Sequence, residues 1–146
     1  MSCTVDASVL VASARPQEVH YAESETFLAR VTELRVESFC PTIVLPESAA
    51  PIARATGSTQ RAAELIRGIY RLPRLRLVAI DVRLAHRAAE IAMTLRLRGA
   101  DSVYVAVAEA SGSTLITWDT EMLERAPGVV PTMTPAEWLS QQGEQP

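Results

Sequence analysis

At 146 residues, with 48% hydrophobic and 21% charged residues, the chain is long enough for one domain around one sizeable core, residues 1–146, and no second domain is expected. Its net charge of −3 taken alone argues against a nucleic-acid binder, but Arg54 to Arg98 holds ten arginines against three acids, +7, leaving −10 elsewhere. A basic middle with acidic flanks fits a polyanionic partner as readily as a solvated helix face. No apolar run reaches membrane-spanning length, and the opening MSCTVDASVLVASA lacks the basic start of a signal peptide, so a soluble, cytoplasmic protein without membrane contact is expected. Cys3 and Cys40 are too few and too far apart for a metal knuckle and read as buried free thiols.

Taken in order, Cys3 to Asp6 is a short β-prone run ending in an acid, and Ala7 to Ala14 follows as a helix. Arg15-Pro16-Gln17 breaks the chain, and from Glu18 a helix is expected with Val19, Ala22, Phe27, Val31 and Leu34 near one apolar face. Glu37 to Cys40 reads as a second strand. The run Thr42 to Glu47 leads into Ser48 to Arg54, where Pro46 and Pro51 weigh against a regular helix. Gly57-Ser58-Thr59 stops one element and caps the next, a helix to about Leu72 with Ala62, Leu65, Ile66 and Ile69 inward and Arg61, Glu64, Arg67 and Arg71 outward.

Leu75 to Ile80 reads as a third strand, after which Asp81 caps a helix with Leu84, Ala88, Ile91 and Leu95 on one face and Arg83, Arg87, Glu90 and Arg98 away from it. Val103 to Ala108 is apolar all round and is read as a buried helix, since strands and helices alternate throughout. Gly112 separates it from the strand Thr114 to Trp118. A short helix then ends near Pro127-Gly128, Val129-Val130 reads as an edge strand, and Thr134 to Gln141 as a last helix before a polar tail. The alternation predicts a three-layer α/β/α domain with a mostly parallel sheet.

Three aspartates stand at element boundaries: Asp6 after the first strand, Asp101 at the start of the buried helix, and Asp119 after the strand beginning at Thr114. In an open α/β sheet, acids at the carboxyl ends of strands face the ligand crevice. Glu47 is a fourth member by pattern. Any one of these acids alone is an ordinary helix cap. Together, closely held carboxylates repel, and protons or a hard divalent cation must relieve the repulsion. With oxygen ligands only, Mg2+ or Mn2+ is favoured over Zn2+.

The segments TVDASVL, LPESAAPIAR, GADSVYVAVAEA and LITWDTEM, in this order and at these separations, resemble the PIN-domain nucleases and most closely the VapC-type toxin ribonucleases. The resemblance spans about residues 3 to 131. It implies a five-stranded parallel sheet flanked by helices and a metal-dependent endoribonuclease of a toxin–antitoxin pair. Carried over by position, the catalytic acids are Asp6, Glu47, Asp101 and Asp119, with Asp6, Asp101 and Asp119 as metal ligands. It also implies a small antitoxin protein as partner and a homodimer of the chain. Ser102 stands where the family usually has alanine, and Trp118 where smaller residues are frequent. Trp118 can stack on a base, but a strand-end tryptophan more often packs.

The expected reaction is Mg2+-dependent hydrolysis of an RNA phosphodiester. Ser8 and Thr117, beside the acids, can hydrogen-bond a metal-bound water or a phosphate oxygen, or simply cap the local backbone. Arg61, Arg67, Arg71, Arg83 and Arg87 are expected on the RNA backbone, which gives salt-dependent binding with little sequence information. His20 and His86 are read as lying on helix faces away from the acids, without a catalytic role. The apolar Ile43 to Ile52 stretch is either an antitoxin surface or core.

Two other acid-pocket classes fit poorly. A phospho-acceptor signalling domain needs an acidic pair after the first strand and a lysine, and the chain contains no lysine. A haloacid-dehalogenase-like phosphatase needs Asp-x-Asp where the chain has Asp6-Ala7-Ser8. A non-toxin RNA-processing nuclease of the same family, or an RNA-binding module that no longer cleaves, remains the alternative.

Overall fold

The computed structural model describes residues 1–143; of the polar tail expected after Gln141, the first two residues belong to the last helix and the rest lies outside the described residues. Five strands, β1 (Ser2–Val5), β2 (Glu37–Pro41), β3 (Leu75–Val78), β4 (Thr114–Ile116) and β5 (Thr132–Met133), form one sheet in the order β3-β2-β1-β4-β5. Every neighbouring pair is parallel. The helices are α1 (Ala7–Ser13), α2 (Tyr21–Glu33), α3 (Val44–Thr56), α4 (Thr59–Tyr70), α5 (Val82–Leu95), α6 (Gly99–Ser111), α7 (Thr120–Arg125) and α8 (Pro135–Gly143). This is the expected α/β architecture with an all-parallel, five-stranded sheet.

The strand order reverses at β1, which pairs with β2 on one side and β4 on the other. Its residues are almost wholly buried, and the register sets Val5 opposite Ile116. Both strands therefore end level with one another, and the residues that follow them open side by side at the crevice of the sheet. Helix α6 lies against β2, β1 and β4 with α5 outside it, while α1, α2, α3, α4 and α8 pack among themselves as the second helical group. Residues Tyr104 to Ala108 of α6 are all buried, as expected of a helix that is apolar all round.

Several local expectations need correction. Helix α2 begins at Tyr21, because Arg15 to Tyr21 is taken up by turns in which Glu18 N donates to Arg15 O and Tyr21 N to Glu18 O. Val19 is consequently 84% exposed, and the buried face of α2 is Ser24, Phe27 and Val31 rather than one through Val19, Ala22 and Leu34. Val129-Val130 is not a strand: both backbone N–H groups bond back to the Ala126 carbonyl, and the chain extends only after Pro131, as β5. Strands β3 and β4 stop at Val78 and Ile116, short of Ile80 and Trp118.

Helix α3 is continuous despite its prolines. Pro46 lies in the first turn, where its N–H would lack a helical partner anyway, whereas Pro51 deprives the Glu47 carbonyl of its usual partner four residues on. The Ile43 to Ile52 stretch is chiefly core, since Val44, Ser48 and Ile52 are buried and Ile43 and Leu45 pack against the core. Cys3 and Cys40 are buried free thiols as expected. Helix α8 starts with a reciprocal cap in which Thr134 N donates to Glu137 and Glu137 N to the Thr134 hydroxyl, at 2.7 and 3.1 Å. Its Trp138 meets Phe27 of α2 edge to face, with ring centroids 5.1 Å apart.

Phe27 is fully buried in that contact, so Phe27→Ala should cost about 3–5 kcal/mol in urea denaturation. Val19→Ala should stay within about 0.5 kcal/mol of the parent, as befits a side chain outside the helix and in water.

Candidate active site

Asp6, Glu47, Asp101 and Asp119 all line one cavity of about 370 Å³. They arrive from four separated segments. Asp6 is the N-cap of α1 and Asp119 that of α7, while Glu47 and Asp101 lie in the first turns of α3 and α6. The partial positive charge of a helix start favours an anion at each of these positions.

Asp6 is almost completely buried, and its Oδ2 accepts from the Ser8 hydroxyl at 2.7 Å and the Thr117 hydroxyl at 2.8 Å. Its backbone N–H extends the β1–β4 pairing by bonding the Ile116 carbonyl at 3.0 Å. Ser8 also accepts from Trp118 N at 3.1 Å, and Thr117 from Asp119 N at 3.0 Å. The two hydroxyls that the sequence left open between ligand contact and local capping therefore bind Asp6 itself. Asp119 does act as a cap, its Oδ1 accepting from Met122 N at 2.8 Å.

The acids perturb one another. Burial raises the Asp6 pKa, the hydroxyls of Ser8 and Thr117 work against the rise, and the charge of Asp119 adds to it. Burial, followed by the charges of Asp6, Asp119 and Glu47, lifts Asp101 from 3.8 to about 6, while Arg98 pulls the other way. Glu47 is raised by burial first and by Asp6, opposed by the neighbouring Tyr104 hydroxyl. Tyr104 is itself pushed up by burial and then by Asp6 and Glu47. Its hydroxyl has no well-formed hydrogen bond among the described residues, so its link to Glu47 is one of proximity.

Among the described residues, no three His, Cys, Asp or Glu side chains are drawn together tightly enough to form a ready metal cage. The four acids surround the cavity rather than meet at one point. Their donor chemistry nevertheless suits a hard divalent cation, since carboxylate oxygens dominate and no thiol lines the cavity.

The expected arginines stand apart from this cavity. Arg61 lines a neighbouring depression with Arg15, Ile52 and Thr56, Arg67 is exposed on α4, and Arg71 is exposed just past its end. Arg83 and Arg87 line a different groove, where Arg87 is held in a two-point bond to Glu109 at 2.7 and 2.8 Å. That pairing uses the guanidinium face expected to meet RNA. Arg54 lies nearer the acids, in a shallow depression that shares Pro51 with the acid cavity.

His20 corrects the sequence reading. It lines the acid cavity and stacks on Trp118, with ring centroids 3.8 Å apart and planes 5° from parallel. No periodicity flags it, because it precedes α2 and is placed by the turns after Pro16. Its counterpart His86 lies in the groove with Arg83 and Arg87, away from the acids as expected.

A parallel α/β sheet whose switch point carries a ring of carboxylates defines a class of acid-centred α/β domains. The chain belongs to the PIN-domain family, whose profile matches residues 3–128. Among solved structures it is similar to VapC20 of Mycobacterium tuberculosis, described as a sarcin-ricin loop cleaving toxin, with TM-score 0.71 and 19% identity over 88% of this chain and 96% of that one. It is similar to a chain of FitAcB from Neisseria gonorrhoeae, with TM-score 0.67 and 22% identity over 92% and 98%. A toxin–antitoxin complex from Klebsiella pneumoniae matches with TM-score 0.63 and 18% identity over 91% and 97%. At these identities the likeness is one of fold. No curated protein sequence matches the chain significantly.

Stability should register the crowding of acids. Between about pH 4 and about pH 6 the folded state holds the Asp101 proton more tightly than the unfolded state, so stability falls as pH rises through that window. In thermal denaturation with EDTA, Asp101→Asn should flatten this fall and melt above the parent at neutral pH, with the two converging in acid.

Proposed function

We propose that the chain is a divalent-metal-dependent endoribonuclease and the toxin of a toxin–antitoxin pair. The observation that carries this reading is the gathering of Asp6, Glu47, Asp101 and Asp119 round one cavity in a PIN-domain fold. Asp6, Asp101 and Asp119 hold Mg2+ or Mn2+, and Glu47 contributes directly or through water. Such an ion supplies an acidified water and offsets charge on the phosphodiester during hydrolysis.

The chain's own groups set the geometry. Ser8 and Thr117 fix one oxygen of Asp6, and Met122 N fixes one oxygen of Asp119. Each carboxylate thus has a set orientation. Arg54 and Arg61, on the α3–α4 side, contact the RNA backbone, and Arg98, whose charge reaches Asp101, stands beside the acids. Arg87, already paired with Glu109, contributes least of the five arginines singled out from the sequence.

The toxin assignment draws on fold likeness to proteins described as a sarcin-ricin loop cleaving toxin and a toxin–antitoxin complex. A small antitoxin protein is the partner proposed, and a homodimer the assembly. No helix among the described residues is long and apolar enough to cross a membrane, and we propose a cytoplasmic site of action.

The test is cleavage of a structured RNA mixture with Mg2+, with Mn2+ and with EDTA. Metal-dependent cutting is expected, and Asp6→Asn should fall to the level of buffer alone while keeping the fold. Asp6→Asn cutting at the parental rate would sink the site assignment; a folded parent that binds RNA but never cuts it would point to a binding module. Ser8→Ala should lower the rate about 10- to 100-fold, as loss of a group that orients a metal ligand does. In RNA-binding titrations over a salt series, Arg61→Ala should weaken all sequences alike and reduce the salt slope by about one. Expression should arrest growth, and co-expression of the cognate antitoxin should relieve the arrest.

A further inference from the structure

The cavity lining is of two chemical kinds: the acids, Glu18 included, with Ser8, and a wall surface of flat or aliphatic side chains, His20, Trp118, Val11, Ala12 and Pro51 among them.

The aromatic part of this wall is built rather than incidental. Trp118 packs against the core, its indole N–H donates to the buried Ser24 hydroxyl at 2.7 Å, and its backbone N–H donates to Ser8 at 3.1 Å. Ser8 is the same hydroxyl that binds Asp6, so the indole and the catalytic carboxylate are fixed to one another through a single side chain. On this anchored ring lies His20, parallel and in contact, with its side chain still 41% exposed. An imidazole held flat at the cavity wall and left half in water presents a second π surface to whatever enters. Glu23 lies 3.9 Å from its Nδ1, an atom of the ring edge, and Glu18 lines the same cavity.

We propose that His20, backed by Trp118, is a base platform: an unpaired RNA base beside the scissile phosphate stacks on the imidazole while the phosphate faces the acids. This rests on the nuclease reading above and narrows it. A base paired within a helix cannot offer its face to a protein ring, so the substrate is single-stranded or looped RNA. Stacking tolerates any base, because every base has a π face, and the platform selects for strand state ahead of sequence.

The test uses fluorescence anisotropy with a labelled single-stranded RNA of mixed sequence, and the same strand with one abasic position at the binding site, both with Ca2+ replacing Mg2+. His20→Ala should weaken binding of the intact strand about tenfold and leave the abasic strand unchanged, while His20→Phe should bind the intact strand within about twofold of the parent. Equal weakening of both strands by His20→Ala would overturn the platform in favour of a phosphate contact. Failure of His20→Phe to restore binding would overturn it too, as would parental binding by His20→Ala. Cleavage separates the two proposals. If His20→Ala cuts RNA with parental KM in Mg2+, the nuclease stands and the platform falls. If the intact strand is bound through His20 but the parent never cuts, the platform stands and the nuclease falls.

Discussion

The site is organised round one buried carboxylate. Asp6 sits where β1 gives way to α1, almost completely buried, and burial raises its pKa while the hydroxyls of Ser8 and Thr117 oppose the rise. A buried ion without such partners would protonate or destabilise the fold. The bond to Thr117 exists only because β1 and β4 are neighbours in register, and that pairing is the switch point of the sheet. The same contact therefore fastens the two central strands and aims the acid. Ser8 and Thr117 pass the constraint on to Trp118 and Asp119 through backbone bonds, so a local change at Asp6 reaches both.

Around this point the protein accumulates negative charge that it does not fully neutralise. Asp6 and Asp119 cap helices and Glu47 and Asp101 lie in first turns, and these helix starts offset part of the repulsion. Burial first, and then the charge of neighbouring acids, raises the pKa values of Asp6, Glu47 and Asp101. Arg98 is the nearby cation that works against the crowd, and it touches only the Asp101 balance. Groups that destabilise their own fold are characteristic of sites kept for binding or chemistry. Stability is supplied elsewhere, in the apolar α6, in the Phe27–Trp138 contact and in the reciprocal cap of α8.

Most of the architecture was legible because its signals are local: alternation of strand and helix, the caps Ser58 and Asp81, the unbroken apolar run of α6. The three aspartates were legible as acids at element boundaries, and Glu47 only through the pattern and resemblance of its segment. What could not be read depends on contacts between distant segments. Ser24 is polar and so was not counted on the inner face of α2, yet it is buried because the Trp118 indole needs an acceptor. With Ser24 inward beside Phe27 and Val31, the helix face shifts, while Val19 stays outward in the turns before the helix starts. His20 was misplaced for the same reason, as its position follows from Trp118, far along the chain. Val129-Val130 has strand composition, but the Ala126 carbonyl holds it in a turn, and composition carries no trace of that bond.

The central pair of strands is also a clock. Asp6 and Thr117 are 111 positions apart, and the intervening chain holds β2, β3 and six helices. As a ribosome extends the polypeptide, the first acid emerges early and then waits, without the hydroxyl of Thr117 and without Asp119, until β4 has been made. A partial chain that ends with α6 lacks β4, Thr117 and Asp119, and so cannot close the ring of carboxylates. The cavity comes into being only near the end of synthesis, so an unfinished copy of the protein carries the residues of the site without possessing the site.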